Sequence, residues 1–141
     1  MLKHLMYALL MFVCGAALGC QAHTTALQQS TTRADEAAAI STLRTISLEQ
    51  QTYAAGNNGS YGTFPQLVQA GFLDERYTSE RPKVRGYVFV MTVTPSAYSI
   101  NADPETSGPQ GGRHLYLDSA SGVIHVNASQ PAGANDAALD Q

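Results

Sequence analysis

Charged residues, cysteine and tryptophan are all scarce in this sequence of 141 residues. Only 13% of the residues are Asp, Glu, Lys or Arg, against roughly 25% in an average globular domain. The formal net charge of −3 provides no basic surface for a phosphate backbone, so the composition argues against a nucleic acid partner. The two cysteines and four histidines contain no C-x-x-C pair, which argues against a zinc or redox centre of that type.

Catalytic motifs are missing as well. No serine stands in a Gly-x-Ser-x-Gly context, and the glycine-rich run 108–112 lacks the lysine of a phosphate-binding loop. The aromatic residues of the C-terminal half alternate along predicted strands, a pattern by which a sheet buries one face. The sequence therefore predicts a protein that is not an enzyme and has no organic cofactor.

The N-terminal residues are typical of an export signal. The fifteen residues from Leu5 to Gly19 carry no charge, which suits a signal-peptide core but is short of the roughly 20 residues that span a bilayer as a helix. Ala17-Leu18-Gly19-Cys20 resembles a bacterial lipobox, with Leu and Ala exchanged relative to the commonest order. This resemblance implies that Cys20 is acylated and becomes the N-terminus, and Gln21 implies an outer membrane protein that faces the periplasm. An ordinary secretory signal and a retained transmembrane anchor are the alternatives.

Composition divides the chain into four parts. We expect a signal peptide over 1–19, a lipid-anchored polar tether over 20–33, a folded domain over 34–130 and a flexible tail over 131–141. If the chain is cleaved before Cys20, Cys14 is lost and no disulfide can form within the molecule. The folded domain must then be stable through packing alone, which its length permits.

Periodicity within the folded domain predicts one long helix from Asp35 to about Ala55. Asp35 and Glu36 are interpreted as first-turn residues that suit the positive end of the helix dipole after a cap at Thr32. An apolar stripe with steps of three or four residues is expected to pack on a sheet. It consists of Ala37, Ile40, Leu43, Ile46, Gln50 and Tyr53.

A short helix and four strands are expected after the long helix. The helix falls within 62–74, and the strands are 86–94, 97–103, 113–118 and 122–127. Together these elements predict an α+β fold in which a long N-terminal helix packs on a four-stranded antiparallel sheet.

The order of these segments resembles the globular domain of type IV pilins and, more closely, of type II secretion pseudopilins. Residues 35–53 are similar to an N-E-A-S-A-x-x-S-L-R-T-I stretch followed by Q-x-x-Y, and 61–74 are similar to the connector that follows it. Three further similar pieces lie at 86–89, at 98–104, and at 113–118 together with 122–124. The resemblance implies a pilin-like head domain over nearly all of 35–127.

The N-terminus departs from the pilin pattern. It has neither the prepilin peptidase junction nor the glutamate near the start of the apolar helix. We therefore expect a pilin-like head on a lipid anchor, which acts through protein contacts, with type II secretion or type IV pilus proteins as the implied partners. A divergent minor pilin retained by its N-terminal helix is an alternative.

A second functional hypothesis is a small envelope module that binds a ligand or calcium. Major pseudopilins bind calcium in a loop of this region, and the resemblance implies Asp103, Glu105 and Asp118 as ligands around the loop 104–112, since carboxylate oxygens suit calcium. The alternative is that these acids are solvated turn residues. His114 and His125 fall at similar positions in facing strands and form a weaker candidate for a metal- or pH-responsive pair.

Overall fold

The computed structural model describes residues 18–106 and 111–139, with the backbone alone for 18–25. The expected signal peptide, 1–19, lies almost wholly outside this range. The described residues contain two α-helices, one 3₁₀ helix and six strands. They are α1 (Leu18–Gly56), α2 (Phe64–Gln69), the 3₁₀ helix (Glu75–Tyr77), β1 (Lys83–Val84), β2 (Tyr87–Thr94), β3 (Ala97–Pro104), β4 (His114–Asp118), β5 (Ile124–Asn127) and β6 (Ala137–Ala138).

The long helix α1 is 39 residues long and includes the segment that the sequence predicted to be a tether. At about 1.5 Å per residue it measures roughly 58 Å. In its polar first part, hydroxyl groups bond to the helix backbone: Ser30 Oγ and Thr31 Oγ1 donate to the Leu27 carbonyl at 2.8 and 3.0 Å. The prediction that the helix begins after Thr32 is therefore wrong, and Asp35 and Glu36 lie in the interior of the helix.

The sheet is a six-stranded antiparallel meander in the order β1-β2-β3-β4-β5-β6. This confirms the α+β class and the long helix, and the four predicted strands are present as β2 to β5. The predicted count of four strands is wrong because β1 and β6 are two further strands at the edges. Each of them has only two residues, too few to show the alternation by which a strand is recognised in a sequence.

The core lies between α1 and one face of the sheet. Leu43 and Ile46 of α1 are fully buried, as are Phe89, Ile100 and Leu115 of the sheet. The predicted stripe holds at these helix positions but is wrong at its start, where Ala37 is exposed and Ala39 is buried instead. The buried face is thus rotated slightly, and Asp35 and Glu36 come to lie at the edge of the sheet.

Residues after β5 return across the outer face of the sheet, the face opposite α1. Asn101 Nδ2 donates to the carbonyl of Ala132 at 2.8 Å, and Ala132 is buried. The backbone N–H of Leu139 then donates to the Ile124 carbonyl at 2.7 Å beside β6. The segment expected to be a flexible tail over 131–141 therefore contributes, through residue 139, both a cover for this face and an edge strand.

Candidate functional site at the junction of the long helix and the sheet

Among the described residues, five contacts join a carboxylate to a basic side chain, and four of them lie at one end of the sheet, where α1 enters the domain. At this end the chain turns from β1 into β2, β3 ends and β4 begins. We call the eight residues of these pairs the charged junction. They are Asp35, Glu36, Lys83, Arg85, Asp103, Glu105, Arg113 and His114.

Glu36 and Arg113 form the best-connected pair of the charged junction. Glu36 accepts from the backbone N–H of Arg113 at 3.1 Å and from its guanidinium Nε and Nη2 at 3.0 and 2.6 Å. The Glu36 side chain is only 16% exposed. Burial alone raises the pKa of the Glu36 carboxyl, but the hydrogen bonds and charge of Arg113 outweigh it and lower the pKa below its ordinary value. The pair therefore fixes the helix to the start of β4.

Asp35, the preceding residue of α1, accepts a hydrogen bond from Nε of Arg85 at 3.2 Å. Arg85 and Gly86 form the β1–β2 turn, and both have positive φ, 47° and 75°. Two consecutive residues with positive φ suit the twist of a two-residue hairpin turn. Glycine adopts this left-handed conformation freely, but for a residue with a side chain, here Arg85, it costs about 1–2 kcal/mol. The pair with Asp35 offsets part of this strain, and it holds the β1–β2 turn against the helix.

Tyr87 fills the space beneath the charged junction. The side chain is fully buried, and its hydroxyl donates to the Arg113 carbonyl at 3.0 Å. Burial, followed by the charge of Glu36, raises the pKa of this phenol far above its usual range, so the hydroxyl remains a donor at physiological pH. The ring lies so close to Gly112 that a side chain there would overlap the hydroxyl.

The three predicted calcium ligands have separate partners. Asp103 Oδ1 contacts Nδ1 of the buried His114 at 2.6 Å, and Glu105 pairs with Lys83. Asp118 lies opposite Ser99 in the β3–β4 ladder, four residues along β3 from Asp103, or roughly 13 Å at 3.3 Å per residue.

Asp118 instead stabilises the β4–β5 turn. Its Oδ1 accepts from the backbone N–H groups of Ser121 and Ala120 at 2.8 and 3.1 Å, and the Ser121 bond is the first cause that lowers the pKa of its carboxyl. No group of three or more His, Cys, Asp and Glu side chains in the described part of the chain is placed to hold a metal ion. The structure therefore gives no support to a calcium site made by Asp103, Glu105 and Asp118.

The remaining candidates are placed as follows. Cys20 lies in the first turn of the described part of α1, and its side chain is outside the description. His114 is opposite Asn127, whereas His125 is opposite Tyr116, so the two histidines are diagonal neighbours and not a directly facing pair. Nδ1 of His125 bonds to the carbonyl of Asp136 at 2.8 Å.

A small cleft borders the charged junction between α1 and the connection from β3 to β4. Its volume is about 190 Å³, less than the roughly 300–1,000 Å³ of typical small-molecule sites. Side chains of both charge signs line it, among them Asp35, Arg85 and Glu105. Its size and mixed charge suit at most a small polar ligand.

Sequence reasoning missed Arg85, Arg113 and Gln50. Gln50 lies in the predicted apolar stripe, but its side-chain amide forms two hydrogen bonds with the backbone of Gly62, with Nε2 donating to the carbonyl at 2.6 Å and Oε1 accepting from the N–H at 3.0 Å. The only available signal was a polar residue in an apolar stripe, since a buried amide requires partners.

Comparisons of this chain with protein-family models, curated proteins and solved structures found no match. Within residues 18–106 and 111–139, neither helix has the length and apolar content of a transmembrane span.

Proposed function

We propose that this protein is a lipid-anchored, noncatalytic component of the bacterial cell envelope whose pilin-like head acts through contacts with other envelope proteins. The observation that carries the proposal is the continuity of α1 from the lipobox cysteine, Cys20, into the core of the domain. The anchor is then joined to the head by a helix and not by a flexible linker.

The first part of α1 has the character of a stalk. The side chains of residues 26–31 are exposed, and from residue 26 onward, where side chains are described, the first buried residue is Ala39. From Cys20 to Asp35 the helix advances roughly 22 Å at about 1.5 Å per residue. A stalk of this length holds the head away from the bilayer surface while limiting the orientations it can adopt.

The charged junction supports this interpretation because it lies where the stalk meets the head. Asp35 binds the β1–β2 turn and Glu36 binds the start of β4, so consecutive helix residues are tied to two separate parts of the sheet. Two attachments resist rotation of the head about the helix better than one. These two attachments would hold the head in one orientation relative to the helix, which a protein that acts by contact requires.

The architecture also supports the pilin-like assignment. The C-terminal half of one long helix packs on an antiparallel meander, and the N-terminal part extends beyond it. This is the arrangement that the resemblance of residues 35–127 implies for a pseudopilin head. The lipobox in place of a prepilin junction favours membrane anchoring over assembly into a filament core.

Metabolic labelling with a palmitate analogue in a Gram-negative host tests the anchor. We expect label on the wild-type protein and on Cys14→Ser, and none on Cys20→Ser, with an acylated Cys20 at the mature N-terminus by mass spectrometry. Cys14→Ser is the matched control because that cysteine lies within the segment expected to be removed. An unlabelled wild-type protein, or a mature N-terminus upstream of Cys20, would overturn the proposal, and an N-methylated apolar helix would indicate a minor pilin.

Affinity capture of the lipidated protein from detergent-solubilised envelopes tests the second part of the proposal. The wild-type protein is expected to retain defined envelope proteins that Cys20→Ser, which cannot be acylated at this position, does not. If neither form retains any envelope protein after chemical crosslinking in intact cells, action through protein contacts is wrong.

A further inference from the structure

Among the described residues, no strand pairs with five of the eight residues of β2 on the side away from β3. The strand has eight residues, but β1 pairs only with Tyr87 and Val88, and Pro82 adds one contact by accepting the N–H of Phe89 at 2.9 Å. Proline has no N–H to return, so pairing stops there. Among the described residues, no strand lies beside 90–94 on this side.

The backbone groups at this open edge are those of Met91 and Val93. Groups of alternate residues point to the same side of an antiparallel strand, and Phe89 already points toward Pro82. The pairing of β2 with β3 leads to the same result. Tyr98 of β3 lies opposite Val93, and its N–H and carbonyl bond to Ser119, so they point away from β2. The backbone groups of Val93 therefore point away from β3, toward the open edge. The N–H and C=O groups of Met91 and Val93 are thus available to another strand.

The open edge has none of the features that normally prevent sheets from pairing. Residues 90–94 read Val-Met-Thr-Val-Thr, with no charge and no proline, and four of the five side chains are β-branched, the type with high strand propensity. Natural edge strands are usually protected by lysine, proline or a bulge. An unprotected edge of this kind is a surface for pairing.

A groove lies beside the same edge. It has a volume of about 380 Å³ and is more apolar than the cleft at the charged junction. Its walls include one acidic and one basic residue, Glu80 and Arg81, neither of which forms an ion pair with a described residue. The lining residues are Thr63, Phe64, Pro65, Glu80, Arg81, Val90 and Met91.

We propose that two copies of this chain pair through their β2 edges, antiparallel, about a two-fold axis at Thr92. This register places Met91 opposite Val93 of the second copy and aligns all four open backbone groups of each strand. It also brings the exposed β2–β3 turn at Pro95 of one copy to the groove of the other. The proposal does not depend on the lipid anchor.

The charges beside this edge favour a second copy over a different partner, and an antiparallel pair centred on Thr92 lets residues 90–94 of the two chains cover one another completely. The adjacent charges of opposite sign, Glu80 and Arg81, are self-complementary in an isologous interface, because each copy presents both signs. A contact of this size falls among small interfaces, so we expect a reversible dimer whose population rises with concentration.

Disulfide trapping in membranes that contain the full-length protein tests the register. Thr92 of each copy would form a non-hydrogen-bonded pair on the axis, with Cα atoms about 4.5 Å apart, a distance at which a disulfide forms. Thr94→Cys is the matched control, because Thr94 is exposed on the same face of the same strand but lies opposite Val90 of the second copy. The chain without an added cysteine gives the background from Cys14 and Cys20.

Thr92→Cys is expected to form several-fold more covalent homodimer than Thr94→Cys. Equal trapping of the two variants, or none above background, would overturn the proposal, as would an adduct whose mass is not that of a homodimer. Sedimentation velocity of the detergent-solubilised protein gives a second measurement over about a hundredfold range of concentration. The dimer fraction should fall in Thr92→Lys, which places a charge in the paired edge. It should persist in Ser99→Lys, the control, which adds the same charge to the neighbouring interior strand β3. A wild-type protein that is monomeric at every concentration would contradict the pairing.

Discussion

Glu36 of α1 accepts three hydrogen bonds from Arg113, a residue 77 positions further along the chain. One comes from the Arg113 backbone and two come from its guanidinium, so the carboxylate fixes both the path of the chain and the side chain. Through Asp35 and Arg85 the adjacent helix residue makes a parallel attachment to the β1–β2 turn. This arrangement joins α1 to two separate parts of the sheet.

Glu36→Gln should destabilise the domain by about 1–2 kcal/mol. The amide keeps the shape of the side chain but loses the charge, and hydrogen bonds to charged groups contribute about 1.5–3 kcal/mol when both partners are buried. The Arg113 side chain is 43% exposed, and water weakens its interaction with the carboxylate, so the expected loss of unfolding free energy lies toward the lower end of that range. Urea unfolding checks the value. Glu49→Gln on the same helix is the control, expected within about 0.5 kcal/mol of wild type because Glu49 has no ion pair among the described residues.

The stability lost in Glu36→Gln should depend on pH. Because the folded-state pKa of Glu36 lies below its ordinary value of 4.5, its contribution is complete above about pH 4.5 and is lost as the pH falls through the folded-state pKa. The difference in unfolding free energy between wild type and Glu36→Gln is therefore constant near neutral pH and shrinks as the pH falls below the ordinary value of 4.5. A difference that grows on acidification would contradict the assigned direction.

Gln50→Leu should cost about 2–4 kcal/mol although it introduces an apolar residue into the core. Gln50 is fully buried and serves both the N–H and the C=O of buried Gly62, and each buried group left without a partner costs about 1–3 kcal/mol. Thermal and urea unfolding measure the loss. Gln51→Leu, one position along on the exposed side of α1, is the control and should lie within about 0.5 kcal/mol of wild type. Equal effects of the two substitutions would contradict the role assigned to Gln50.

Gly112→Ala should destabilise the domain by about 1–3 kcal/mol through overpacking. The added Cβ would overlap the Tyr87 hydroxyl and lie 3.0 Å from Cζ of the same ring, which is buried and cannot move freely. Gly133→Ala is the control, since nothing lies within 4 Å of the Cβ position there.

A double-mutant cycle identifies the cause of this loss. In the Tyr87→Phe background, which lacks the overlapping oxygen, Gly112→Ala should cost less than in the wild type. An equal cost in both backgrounds would show that the loss does not arise from overlap with the Tyr87 hydroxyl.

The charged residues of α1 show how far local reasoning reaches. A pair of acids after a threonine is typical of a helix start, and the sequence predicts one at Asp35 and Glu36. In the structure the helix continues through this point, and both acids bind arginines of the sheet instead. Nothing local distinguishes the two roles, because Arg85 and Arg113 are 50 and 77 positions away.

The sequence by itself determined the α+β class, the strands β2 to β5 and the buried positions of α1 around Leu43 and Ile46, because these depend on periodicity between near neighbours in the chain. Only the tertiary structure decided where α1 begins, which residues join it to the sheet, what Gln50 binds and where the edges of the sheet lie. These features depend on contacts between distant segments, and a two-residue strand such as β1 or β6 forms only because a longer neighbour offers it hydrogen bonds.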